Sequence, residues 1–255
     1  MKSGRAHPAA LTIDGEIYQY EKILKEDFFS INVLYRAESG KRYVFKMSDF
    51  RFLLGFLLTP LAVLMSRREY KIYSMVADIP LVPKLGPRLG LRGYLHRFIE
   101  GKTLHELERE GRRDLPDDFF ARLGDTLREI HRRRIFYLDL NKQGNIIRGD
   151  DGAPYLIDFQ VCIHFRYRNW LFDKIFHRLI QEDIYHLYKH KRRFRPDLMT
   201  QEEMKLATRS ELGKAINRYF GNPYRKIKRC IYPSGSNEII WYKWKKMKDK
   251  SKRMS

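Results

Sequence analysis

Over residues 11–47 apolar and polar positions alternate in short runs: Leu11-Thr-Ile, Ile17-Tyr-Gln-Tyr, Ile31-Asn-Val-Leu-Tyr and Tyr43-Val-Phe-Lys-Met. A period of two puts alternate side chains on opposite faces of a strand, and Glu38-Ser-Gly-Lys between the last two runs has the glycine and polar content of a hairpin turn. A small antiparallel sheet is predicted, with Lys46 near the end of its last strand. The period then changes. Thr59-Pro60 reads as an N-cap followed by proline at the first helical position, opening a helix to about Ala77 whose apolar stripe is Leu61, Leu64, Met65, Ile72 and Val76. Glu69 falls inside that stripe, and a carboxylate on a buried face needs a cationic partner. It is the only Glu between Lys46 and Glu100, which makes Lys46 the natural candidate.

Pro80, Pro83 and Pro87 mark a connecting segment, after which Gly93 to Leu104 reads as a strand running into an exposed turn and then a helix, as a hinge would. Phe119, Phe120, Leu123, Leu127 and Ile130 recur at helical spacing, ending near His131. Trp170 to His190 is helical again, and Thr200 with Glu203 forms a capping box for a helix towards Leu212. Residues 224–255 differ in kind: 11 Lys or Arg with Trp241, Tyr242 and Trp244 interleaved.

Composition sharpens this picture. An apolar fraction of 43% over 255 residues supports a folded globule rather than disorder. Only Cys162 and Cys230 occur, so neither a disulfide framework nor a zinc site is implied, and a reducing cytoplasm is the expected location. Lys plus Arg exceed Asp plus Glu by 51 to 31, a net charge of +20 that attracts polyanions. No nucleic-acid-binding motif accompanies the charge, so an anionic membrane surface is the expected polyanion. The N-terminal residues show no signal-peptide pattern. The apolar stretch Phe52 to Met65 would span about 21 Å as a helix against roughly 30 Å of bilayer hydrocarbon, so it is either core or an interfacial contact, not a span. Five histidines, His131, His164, His177, His186 and His190, show no metal-ligand pattern and read as solvent or phosphate contacts.

Residues 137–159 carry the chemistry. Asp139, Asn145 and Asp158 sit at the ends of apolar, strand-like runs separated by a Gly-Asp-Asp-Gly turn. Two acids and an amide so placed suit magnesium-dependent phosphoryl transfer, with one carboxylate taking a hydroxyl proton and an amide and a carboxylate holding the metal on the phosphates.

These parts, in this order, resemble the protein-kinase-like superfamily over roughly residues 12–190. Asp139-Leu-x-x-x-x-Asn145 resembles the catalytic loop and Asp158-Phe-Gln the magnesium-binding Asp-Phe-Gly. Lys46 resembles the strand lysine, Glu69 its helix partner, and Phe98-Ile-Glu-Gly the hinge of small-molecule kinases. The Asp-Phe-Gln ending looks most like compact bacterial kinases, including lipopolysaccharide-core sugar kinases and RIO kinases. Four departures stand out: Lys25 to Ser30 replaces the glycine-rich loop, six residues rather than five separate Asp139 from Asn145, Tyr137 stands where His is usual, and Gln160 replaces the glycine of Asp-Phe-Gly.

The resemblance implies an α+β fold of two lobes, a small antiparallel-sheet N-lobe over 1–95 and a reduced, mainly helical C-lobe over 96–223, followed by the basic tail. It implies ATP and Mg²⁺ as cofactors, Asp139 as the catalytic residue, Asn145 and Asp158 as metal ligands, and Lys46, Glu69, Ser30 and Glu100 on the nucleotide. Asp183 would hold the catalytic-loop backbone from below. The implied acceptor is a hydroxyl of an anionic glycolipid at the inner membrane face. A protein acceptor, as in RIO kinases, and a non-catalytic adaptor remain the alternatives, and a monomer is the expected state.

Overall fold

The computed structural model describes residues 7–26, 30–48 and 59–208. The middle of the 25–30 turn, the apolar stretch 52–58 and the basic tail 224–255 therefore lie outside the described residues. The fold is mixed α+β.

Six strands form one antiparallel sheet: β1 (Ala10–Ile13), β2 (Glu16–Glu26), β3 (Ser30–Ala37), β4 (Arg42–Ser48), β5 (Leu85–Leu89) and β6 (Gly93–Arg97), in the order β1-β2-β3-β4-β6-β5. The hairpin turn between β3 and β4 closes through the Gly40 N–H on the Ala37 carbonyl, with Gly40 at φ +84°. Alternation along β3 and β4 does the sorting. Ile31, Val33, Tyr35, Phe45 and Met47 join Leu95 in a cluster on one side of the sheet, while Asn32, Val44 and Lys46 line a cavity on the other.

Helix α1 (Thr59–Ser74) packs on β4 and β6. Its buried face is Ala62, Ser66, Glu69, Ile72 and Tyr73. Leu61 and Leu64, expected in the apolar stripe, are instead 45% and 63% exposed. Small residues at 62 and 66 let the helix approach closely, and the two leucines point away. The helix also ends three residues before the expected Ala77, the chain continuing as turns.

The remaining elements surround a second and larger cluster. Short strands β7 (Gly101–Thr103), β8 (Ile135–Phe136), β9 (Ile146–Gly149), β10 (Pro154–Leu156) and β11 (Ile163–His164) make a three-stranded sheet, β10-β9-β7, and a two-stranded one, β11-β8. The helices are α2 (Leu104–Arg109), α3 (Phe119–Arg132), α4 (Trp170–Phe194) and α5 (Gln201–Leu206). All five apolar positions foreseen on α3 are buried. Helix α4 is capped by the Asn169 side chain, which accepts the Phe172 N–H, and buries Phe176, Asp183, Leu187, His190 and Phe194 at helical spacing. The Thr200–Glu203 capping box is present at α5. Ile72, Tyr73, Val76 and Tyr94 belong to this larger cluster, so α1 and β6 join the sheet to the helical part.

Gly101 sits where the chain passes from one part to the other. Its φ is +149°, and a Cβ there would lie 2.2 Å from the Arg148 carbonyl oxygen, so only glycine allows β7 to pair with β9.

Candidate active site

Lys46 is the centre of the site. Strand β4 presents it on the cavity face beside Val44, where its ammonium lies 2.6 Å from Glu69 of α1 and 2.8 Å from Asp158, just after β10. The lysine side chain is 6% exposed, Glu69 1% and Asp158 18%. Burial alone would strip the lysine of its proton, but the two carboxylates reverse this and hold its pKa above the ordinary value. Burial likewise opposes ionisation of Asp158, and Lys46 again prevails, holding that carboxyl well below the usual range. Burial raises the Glu69 pKa against the pull of Lys46. With all three groups ionised, one cation faces two anions, so the cluster carries one surplus negative charge.

The backbone that delivers Asp158 is braced from two sides. Asp158 has φ +68°, a conformation that costs a non-glycine residue of order 1–3 kcal/mol and persists only when its surroundings enforce it. Here the buried Tyr137 hydroxyl donates to the Ile157 carbonyl, and Arg68 of α1 donates to the carbonyls of Gln160 and Cys162. Phe159, fully buried, packs on Tyr73 and Tyr137 with ring centroids 5.0 and 5.6 Å away.

Asp139 follows a residue in the same strained region, Leu138 at φ +68°. Asp183, buried in α4, accepts the backbone N–H groups of Tyr137 at 3.0 Å and Leu138 at 3.1 Å and contacts the His131 ring at 2.9 Å. This carboxylate is thus the anchor under the loop. The six-residue separation of Asp139 from Asn145 is taken up by a turn and a short 3₁₀ segment over Gln143–Asn145. As a result Asn145 Nδ2 reaches both the Asp139 carbonyl and Asp139 Oδ2 at 3.2 Å. Lys142 lies 2.5 Å from the same Oδ2.

Asn145, Asp158 and Lys46 line one cavity of about 400 Å³, whose walls include Val44, Tyr94, Phe98, Ile147 and Ile157. Asp139 is joined to it through Asn145. The other two sequence candidates lie apart. Ser30 is buried at the start of β3 and Glu100 is exposed, pairing with Arg42 at 3.1 Å; neither lines the cavity. Three of the five histidines correct the sequence reading, while His177 is exposed as expected and His164 half-buried. His131 binds Asp183, His186 is buried, and His190, 2% exposed, lies 2.8 Å from the Leu140 carbonyl. They are part of the fold around the loop rather than solvent contacts.

Sequence reasoning missed Tyr137 as a hydrogen-bonding brace and Arg68 altogether. The only signal for Tyr137 was its place beside the motif, and Arg68 gave none.

Among the described residues no group of three or more His, Cys, Asp or Glu could hold a metal ion by itself. A magnesium ion characteristically needs only one or two protein oxygens when phosphates supply others. The Asp158 carboxylate and the Asn145 amide oxygen, whose Nδ2 is committed to Asp139, fit that donor set. No helix among the described residues is long and apolar enough to cross a membrane. No protein-family model matches this chain, and no curated protein sequence matches it.

Proposed function

We propose that this chain is an ATP- and Mg²⁺-dependent kinase of two-lobed, protein-kinase-like fold, transferring a phosphoryl group to a hydroxyl of an anionic glycolipid at the inner face of a membrane. One observation carries the reading: a buried lysine bridges a helix glutamate and a loop aspartate at a cavity whose Asn145 is held by a second aspartate.

In this reading the apolar walls of the cavity take the adenine, and the Lys46 ammonium meets the phosphates. Asp158 and Asn145 would hold the Mg²⁺, which supplies charge neutralisation on the phosphate oxygens. The acceptor hydroxyl enters beside Asp139, whose Oδ1 is used by neither the Lys142 nor the Asn145 contact. As the acceptor oxygen forms its bond to the γ-phosphorus, the bond from that phosphorus to the ADP oxygen breaks and the hydroxyl proton passes to Asp139. Leu138 and Asp158, both held in strained conformations, keep the two carboxylates in fixed positions.

A membrane location is supported by an exposed aromatic face at the start of α4. Tyr167, Trp170, Leu171 and Ile175 are exposed there, 66%, 75%, 48% and 40%, among Arg166, Arg168, Lys174 and Arg178. Tryptophan favours the interfacial layer, and each basic residue near an anionic surface contributes about 1 kcal/mol.

The test is incorporation of label from γ-labelled ATP into membrane extracts, comparing wild type with Asp158→Ala. Label in the lipid phase with wild type only supports the proposal. Equal incorporation by both proteins refutes it, and label confined to protein replaces the glycolipid by a protein acceptor.

A further inference from the structure

A second cavity, of about 530 Å³, opens on the other side of the Asp139 loop and shares Gly144, Asn145 and Lys25 with the first. Its chemistry is one-sided. Lys25, His105, Lys142, Lys189, His190 and Arg193 line it, and among the described residues no Asp or Glu does. From outside the lining Asp139 reaches Lys142 and Glu108 reaches Arg193, while the Lys189 ammonium lies 3.2 Å from the Asn141 amide oxygen. Four permanent cations around one opening, drawn from β2, the loop and α4, create a field that an anion relieves.

The wall is fixed to the catalytic loop. His190 holds the Leu140 carbonyl at 2.8 Å, Lys189 holds Asn141, and Lys142 faces this cavity while contacting Asp139 at 2.5 Å. An anionic oxygen seated here therefore lies beside the carboxylate that addresses the acceptor hydroxyl.

We propose that this outer cavity binds a phosphate or carboxylate group of the acceptor, so that the phosphorylated hydroxyl belongs to a sugar already carrying an anion. Anion binding stands on the cavity itself; only its description as part of the acceptor rests on the kinase reading.

Calorimetry on the full chain tests it, with glucose 6-phosphate and glucose as probes, each titrated with and without saturating Mg²⁺ and a non-hydrolysable ATP analogue. Glucose 6-phosphate is expected to bind with the analogue present, and glucose not. The double variant Lys189→Gln/Arg193→Gln weakens that binding about 10- to 100-fold, from the loss of two charge-assisted contacts. Arg193→Lys, which keeps the charge, weakens it less than the loss of Arg193 does. Circular dichroism checks that each variant is folded. Equal binding of glucose, no binding of glucose 6-phosphate, or an unaffected double variant overturns the proposal.

Failure of the nucleotide analogue to bind defeats the kinase reading instead, and the dependence of sugar-phosphate binding on residues 189 and 193 still decides the cavity. Tighter binding of lipid A in micelles than of glucose 6-phosphate places the anion on a lipid, and the reverse on a soluble sugar phosphate; both support the pocket.

Discussion

The two cavities that meet at Lys25, Gly144 and Asn145 hold their charges in different ways. At the heart of the inner one, the Lys46 ammonium is enclosed by two carboxylates, nearly all of it away from water, and that geometry is complete without a ligand. In the outer one, four cations line an open space, and Asp139 and Glu108 reach two of them from outside the described lining. The first arrangement is rigid because each charge would be costly if its partner moved. The second is held in place by backbone contacts from α4 to the loop, and its charge is matched by whatever enters. In the proposed kinase, a site that positions phosphates reproducibly and a site that accepts and releases an acceptor would call for these two designs.

The sharpest way to break the comparison is at Lys46. Lys46→Met leaves Glu69 and Asp158 buried without their cation, and is expected to cost about 3–5 kcal/mol in urea unfolding together with loss of phosphoryl transfer. Adding Glu69→Leu removes one of the stranded charges and should recover much of the stability while leaving the enzyme inactive. If the single variant unfolds like wild type, the inner cavity is not organised by ion pairing. Asp139→Asn comes next. Its carboxylate lies at the border of the outer cavity, so transfer should fall roughly 10²- to 10⁴-fold with the unfolding midpoint and nucleotide binding unchanged. A smaller effect is expected at Asp183→Asn, which weakens the anchor under Leu138: roughly 1.5–3 kcal/mol of stability, and a lower kcat with an unchanged KM for ATP. A change in KM for ATP alone would mean that the anchor serves the nucleotide side.

The inner cavity was far more legible in the sequence than the outer one, for physical reasons. Glu69 announced itself because a carboxylate in an apolar helical stripe demands a cation, and the strand alternation put Lys46 on a definable face. Asp139, Asn145 and Asp158 are close in sequence, so one motif contained them. The stripe itself was misread at Leu61 and Leu64, because hydrophobicity does not say which face of a helix is covered, and close packing at Ala62 and Ser66 decided it. The outer cavity left a weaker signal: the basic run Lys189 to Arg195 stands out but reads as a solvated helix face or a contact with an anionic membrane, and Lys25, His105 and Lys142, which complete the lining, are ordinary side chains in their own neighbourhoods. Strain at Leu138 was invisible, since it is imposed by Asp183, 45 residues away.

His190 provides the mildest test, and one that bears on the outer wall. Burial lowers its pKa to about 4, with the Leu140 carbonyl opposing and Lys189 and Arg193 assisting, whereas an unfolded chain has an ordinary value near about 6.5. Between those limits the unfolded state takes up a proton that the folded state refuses, so this contribution is fully present above pH about 6.5 and is lost as pH falls towards 4. At pH about 5 the difference amounts to about 2 kcal/mol. His96 and His164, whose values burial also lowers, add to the same slope. Unfolding free energies measured between pH 7 and 5 should therefore fall, and His190→Gln should make the fall shallower by its own share. An unchanged slope would mean that His190 titrates in the folded protein as it does in water, and that the α4 wall is open to solvent rather than closed over the Leu140 carbonyl.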